Sequence, residues 1–150
     1  MASDSKDVTV LNTLIATLID SIDGYQKSAQ DIHDKSLADK FNARARERQG
    51  AVAKLQAAVA AAGGTPEDDG SLSGATHRVF INLKEVVAGR DDKAIVAEVE
   101  RGEDYLKNKF ATALKETELS AQATAAVREA WDSVRAGHDE MSALKHSMGA

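Results

Sequence analysis

A glutamate, an arginine and a histidine lie where predicted helices should bury apolar side chains. Glu103 is the clearest case, because apolar residues surround it at helical spacing. These are Val96, Val99, Leu106, Phe110 and Ala113. Arg48 and His138 interrupt the apolar stripes of two other helices in the same way. An isolated buried charge is very costly, so a carboxylate at such a position must be ion-paired, bound to a metal or protonated. The groups that face Glu103 therefore decide the chemistry of this chain.

One interpretation is a metal site. A tight turn near residue 119 sets His138 opposite about Glu100, and Glu103 lies one turn further along, so the three side chains converge. Asp23, on the flank of the first helix's stripe, would supply a fourth oxygen ligand, whereas Asp20 is expected to face solvent. Mixed carboxylate and imidazole ligation suits iron, manganese or zinc.

The other interpretation is a structural ion pair between Arg48 and Glu103, with His138 and Tyr25 completing a buried polar cluster. Guanidinium and carboxylate groups suit each other through two-point hydrogen bonding. An arginine cannot lose its proton and so cannot be a metal ligand. Two-metal bundles use Glu-x-x-His pairs, but the residue three before His138 is Arg135. The sequence therefore favours the ion pair and keeps the metal site as the alternative.

Five predicted helices must position these residues. Their expected spans are about 7–33, from an N-cap at Ser36 to Gly63, about 73–88, about 92–115, and from Ser120 onward. Very short linkers near residues 34 and 119 join the four long helices into two antiparallel pairs. Two hairpins with a short extra helix in a long crossover predict an all-α, ferritin-like four-helix bundle, with residues 1–150 as a single domain. A plain up-and-down bundle is the alternative that periodicity leaves open.

Composition excludes several classes of protein. There is no cysteine, hence no disulfide and no thiolate metal site, and the net charge of −5 argues against a nucleic-acid partner. No apolar run approaches the roughly 20 residues that span a membrane, so no membrane partner is expected. The polar start and the lack of cysteine predict a cytoplasmic protein. Association as a homodimer or another homo-oligomer stays open, because a stripe wider than one bundle interior could serve a dimer.

No catalytic motif is present: there is no phosphate-binding glycine loop, no nucleophile elbow and no Glu-x-x-His pair. Three segments nevertheless share an order and spacing with a known family. They are Leu11-Asn12-x-Leu14-Ile15 with Asp23-Gly24-Tyr25; Gly63-Gly64-x-Pro66 leading to His77-Arg78 and Asn82-Leu83-Lys84; and Glu100-Arg101-Gly102-Glu103-Asp104 followed by His138-Asp139. Over about residues 8–145 the chain resembles an uncharacterised family of bacterial ferritin-like four-helix-bundle proteins.

The resemblance implies a ferritin-like fold with the short helix in the crossover, and it implies no activity. The expected function is that of a non-enzymatic bundle, of a stress-related or assembly type, whose buried polar cluster is structural. The alternative is a metal-binding ferritin-like protein with ferroxidase-like or peroxide-detoxifying chemistry, which rests on analogy with the fold.

Overall fold

The computed structural model describes residues 2–68 and 91–149, and in these ranges the chain is an all-α bundle. Its four helices are α1 (Ala2–Asp31), α2 (Lys35–Ala61), α3 (Asp92–Leu114) and α4 (Ala121–Ser147). They correspond to the four long helices that the sequence predicts. The predicted short helix at about 73–88 lies outside the described residues. None of the described helices is both long enough and apolar enough to cross a membrane.

Capping side chains define where the helices begin. Asp91 and Ser120 cap α3 and α4 by accepting hydrogen bonds from backbone N–H groups in the first turn. The prediction that Ser36 caps α2 was wrong. Asp34 is the N-cap, because its Oδ1 accepts from the backbone nitrogens of Ser36 at 2.8 Å and Leu37 at 3.3 Å. A carboxylate two residues earlier thus takes the place that the serine hydroxyl was expected to hold.

The helix directions follow from contacts at the two ends of the bundle. At one end, the start of α3 meets the turn between α1 and α2, where Asp92 binds the backbone of His33 and Asp34. At the other end, the segment after α2 meets the start of α1, where Asn12 Nδ2 donates to the carbonyl of Thr65 at 3.0 Å. Since α2 ends at one end of the bundle and α3 begins at the other, these two helices run in the same direction.

Around the bundle, α1 packs on α2, α2 on α4, α4 on α3 and α3 on α1, so α2 and α3 lie on a diagonal. The fully buried apolar side chains from the four helices form one continuous core. They include Leu11, Ile15, Leu18, Phe41, Leu55, Ile95, Leu106, Phe110, Val127, Val134 and Met141. This core surrounds two buried charged side chains near its middle, those of Arg48 and Glu103.

Each hairpin turn is held by an aspartate from the other hairpin. Asp92 accepts hydrogen bonds from the backbone nitrogens of His33 at 2.7 Å and Asp34 at 2.9 Å. At the opposite end, Asp7 of α1 is 2% exposed and accepts from the backbone nitrogen of Ser120 at 2.9 Å. These carboxylates satisfy backbone donors that no helix could satisfy internally, and they fix how the two hairpins are aligned.

Candidate functional site

The centre of the bundle holds an ion pair between Arg48 and Glu103. Arg48 is 0% exposed and Glu103 is 2% exposed. Nη1 of Arg48 donates to Oε1 of Glu103 and Nη2 donates to Oε2, which is the two-point geometry that strengthens guanidinium–carboxylate pairs. Nη1 also donates to the hydroxyl of Ser21 on α1. The pair therefore joins the two diagonal helices, α2 and α3, across the middle of the core.

A glycine on α4 makes room for this pair. A Cβ at Gly137 would overlap Nη2 of Arg48 and would lie 3.0 Å from Oε2 of Glu103 and 3.2 Å from Cδ of Arg44. Any other residue at this position would push into the hydrogen-bonded atoms. With Ser21 from α1, all four helices contribute one residue to the same level of the bundle.

Tyr25 of α1 lies beside the guanidinium. The Arg48 Cζ atom is 5.4 Å from the centre of the tyrosine ring, a cation–π distance, and the ring also packs against Phe41 at 5.7 Å between centroids. The tyrosine hydroxyl has no hydrogen-bond partner among the described residues, and neither has Nε of Arg48. The cluster is thus held by the ion pair and by ring contacts, with two polar atoms left over.

Burial and charge set the protonation of this cluster. Burial raises the pKa of Tyr25 well above its ordinary value, and the negative charge of Glu103 raises it further. For Arg48, burial is the largest influence and lowers the pKa, but Glu103, Tyr25 and Glu47 together outweigh it, so the net shift is upward. Tyr25 is therefore neutral and Arg48 is a permanent cation at any physiological pH. A group fixed in this way cannot serve as a general base or as a metal ligand.

A second polar group lies on the seam between α3 and α4. Nε2 of His138 is 2.6 Å from Oδ1 of Asp104 and 4.0 Å from Oε2 of Glu100, and Nδ1 is 3.4 Å from Oδ1 of Asp139. Nζ of Lys145 is 3.5 Å from Oε1 of Glu100. The side chains of His138 and Glu100 are 13% and 12% exposed, whereas that of Asp104 is 52% exposed. This group is therefore half-buried and open to solvent on one side.

The structure distributes the residues singled out in the sequence over three places. Glu103 and Tyr25 lie with Arg48 at the centre, whereas Glu100 and His138 lie together on the α3–α4 seam. Asp23 belongs to neither group. It lines a shallow groove of α1 and α2 with neighbours such as Ile19, Gln26, Gln49 and Gln56.

One sequence expectation about α1 was wrong. Asp20, which was expected to face solvent, is only 6% exposed. The reason is that α1 buries far more of its circumference than one stripe, since Ala16, Thr17 and Ser21 are buried as well.

Sequence reasoning missed two residues of these groups, Gly137 and Asp104. A glycine inside a helical pattern often marks a close approach of another group, and Gly137 fits that signal. Asp104 follows Glu100 by four residues, a spacing that places both carboxylates on one side of a helix. Both signals were present in the sequence, but Gly137 has no side chain to mark the buried face of α4, and Asp104 lies off the apolar stripe of α3.

Together these features define a class: a helical bundle, with four helices in its described residues, that has a charged pair rather than an apolar layer at its centre. The chain belongs to the family described as Domain of unknown function (DUF2383), whose model matches residues 6–116. The matched region contains Ser21, Arg48 and Glu103, and it ends before α4, which supplies Gly137 and His138. No curated protein matches the chain.

Proposed function

We propose that this chain is a ferritin-like bundle in which a structural ion pair occupies the place of a metal centre, and that it acts by binding at its surface rather than by catalysis. The helix directions support the ferritin-like assignment. Because α2 and α3 run in the same direction, the connection between them leads from one end of the bundle to the other. One long crossover between two hairpins is the arrangement of ferritin-like folds.

The observation that carries the proposal is the two-point pairing of Arg48 with Glu103. In two-metal bundles of this type, carboxylates and histidines from the four helices project into the centre. Here the four helices bring Ser21, Arg48, Glu103 and Gly137 to one level. The Arg48 guanidinium stands where a metal ion would need a ligand. It binds both oxygens of Glu103, which is the one carboxylate among these four residues.

The alternative, a metal centre built on Glu100, Glu103, His138 and Asp23 with ferroxidase-like or peroxide-detoxifying chemistry, has less support. Glu103 is committed to Arg48, and Asp23 lies in the groove of α1 and α2. Moving Glu103 toward a metal would leave Arg48 as an uncompensated buried charge, which costs several kcal/mol. A buried polar network is favourable only when its members satisfy one another.

The test compares Arg48→Met, Glu103→Leu and the double variant in urea unfolding. Each single change leaves one unpaired buried group, so we expect a loss of about 3–5 kcal/mol from either. The double variant replaces the pair with apolar groups of similar volume and should recover most of that loss. Ferrous iron oxidation should proceed no faster with the protein than in buffer. Iron oxidation that Glu103→Leu abolishes and Arg48→Met does not would overturn the proposal in favour of a metal centre.

A further inference from the structure

His138 has carboxylates at both of its ring nitrogens, although it takes no part in the central ion pair. On the Nε2 side lie Asp104 and Glu100, four residues apart on α3, and on the Nδ1 side lies Asp139. One ligand atom from each of Glu100, Asp104 and His138 can be chosen so that all three lie within 4.8 Å of one another. Only this arrangement, among the described residues, brings three potential metal ligands so close.

We propose that Glu100, Asp104 and His138 bind one divalent transition-metal ion of the zinc class on the seam between α3 and α4. Ligand atoms about 2.0–2.2 Å from zinc stand roughly 3.4 Å apart in a tetrahedral site. The Nε2–Oδ1 distance of 2.6 Å must therefore open and the Nε2–Oε2 distance of 4.0 Å must close. Both changes are within reach of side-chain rotation, since Asp104 is half exposed.

The surroundings of the three ligands also fit a cation. A metal-bound histidine usually donates its second ring N–H to a carboxylate, which fixes the tautomer and orients the ring. Asp139 stands in that position, with Oδ1 3.4 Å from Nδ1. Lys145 approaches Oε1 of Glu100, so Oε2 is left facing the histidine. With neutral His138, the three carboxylates and Lys145 sum to a charge of −2, which one divalent ion balances.

The geometry further indicates what such an ion would do. Its protein ligands come from two neighbouring helices, so the ion would join α3 to α4 outside the core. The exposed side of Asp104 leaves room for water as a further ligand, so solvent would complete the coordination of the ion. Since the site shares no residue with the Arg48–Glu103 pair, its failure would leave the proposed structural centre standing.

Calorimetric titration of the full chain with zinc chloride tests the inference. We expect one ion per chain. Asp139 contacts the histidine rather than the ion, so Asp139→Asn should weaken zinc binding by roughly 10–100-fold. Asp104→Asn and His138→Ala each remove a direct ligand and should weaken binding by more than that. Asp104→Asn changes a half-exposed side chain, so it serves even if His138→Ala disturbs the fold. His146→Ala, which removes an exposed histidine of the same helix, is the matched control and should change nothing.

Nitrogen-15 spectra of the four imidazoles give an independent readout. Zinc should shift Nε2 of His138 and leave the other three histidines unchanged. Lys145→Gln removes a competing positive charge and should tighten binding. If zinc binds Asp104→Asn and His138→Ala as tightly as it binds the native chain, the inference is wrong, because the ion must then lie on other surface groups. A shift of His33 or His146 in place of His138 would overturn it for the same reason.

Discussion

Replacing Gly137 with alanine should destabilise the protein, although alanine is the better helix former. In an open helical position the exchange would stabilise by about 0.5–1 kcal/mol. At Gly137 the added methyl group meets Nη2 of Arg48 and lies 3.0 Å from Oε2 of Glu103. Arg48 is completely buried and held by Ser21 and Glu103, so its guanidinium has no vacant site to enter.

The size of the stability loss depends on which atoms move to admit the added methyl group. Forcing one methyl group into a filled core costs about 1–3 kcal/mol. If the guanidinium and the carboxylate are driven apart, the cost rises to about 3–5 kcal/mol, because two buried charges lose their partner. Subtracting the helix gain leaves an expected net loss of about 2–4 kcal/mol for the case in which the pair separates.

The assay is urea unfolding followed by circular dichroism, with Gly50→Ala as the matched control. Gly50 lies in the interior of α2, is exposed, and has no atom within 4 Å of the position a Cβ would take. The control should gain about 0.5–1 kcal/mol while Gly137→Ala loses stability, so the two variants should move in opposite directions. If Gly137→Ala is as stable as the native chain or more stable, the packing of α4 on the ion pair is refuted.

Two further predictions concern pH. The raised pKa of Tyr25 means that its contribution to stability is complete below the ordinary value of 10.0 and is lost as pH rises above it. Tyr25→Phe should therefore flatten the decline in unfolding free energy at alkaline pH, and an unchanged alkaline slope would contradict this. Near pH 7 the same change should alter stability by no more than about 1 kcal/mol, because it removes a hydroxyl without a hydrogen-bond partner. Hydrogen bonds from Ser36 and Leu37 lower the pKa of Asp34, so its cap contributes above the ordinary value of 3.8 and is lost as pH falls through the lowered value. The measurement is the melting temperature of each variant from pH 7 to pH 3. The difference between the native chain and Asp34→Asn should shrink below pH 3.8, whereas Asp34→Ala should lack the cap at every pH. A difference between native and Asp34→Asn that stays constant with pH would show that the carboxylate charge does not stabilise the cap.

Four of the five predicted helices lie in the described residues, and these four and their pairing follow from local signals in the sequence. Apolar periodicity predicted the four long helices, and a helix start such as Ser120 is read from residues next to each other in the chain. The N-cap of α2 was misassigned because Asp34 and Ser36 both suit that position, and only backbone geometry decides between them. The burial of Asp20 could not be read from one stripe, because it depends on how many neighbours surround α1.

The candidate sites depended on finer detail. Counting from the hairpin turns placed Glu100 near His138, but it could not separate Glu103 from its neighbour Asp104. Glu103 lies in the core, whereas Asp104 lies on the α3–α4 seam beside His138. A helix turns by about 100° per residue, so an error of one position moves a carboxylate from the core to the seam. Pairing across the diagonal, as between Arg48 and Glu103, depends on the rotation of both helices, which no local pattern specifies.

The exchange of aspartates between the hairpins bears on how copies of this chain can meet. Asp7 recognises the turn of the second hairpin, Asp92 recognises the turn of the first, and the Arg48–Glu103 pair also crosses from one hairpin to the other. Every one of these contacts lies between hairpins, so a hairpin from a second copy could supply it equally well. Two chains that traded hairpins would keep all three contacts. These contacts would then not distinguish a closed monomer from a dimer with exchanged hairpins. Protein concentration and the connection between α2 and α3 would decide between the two.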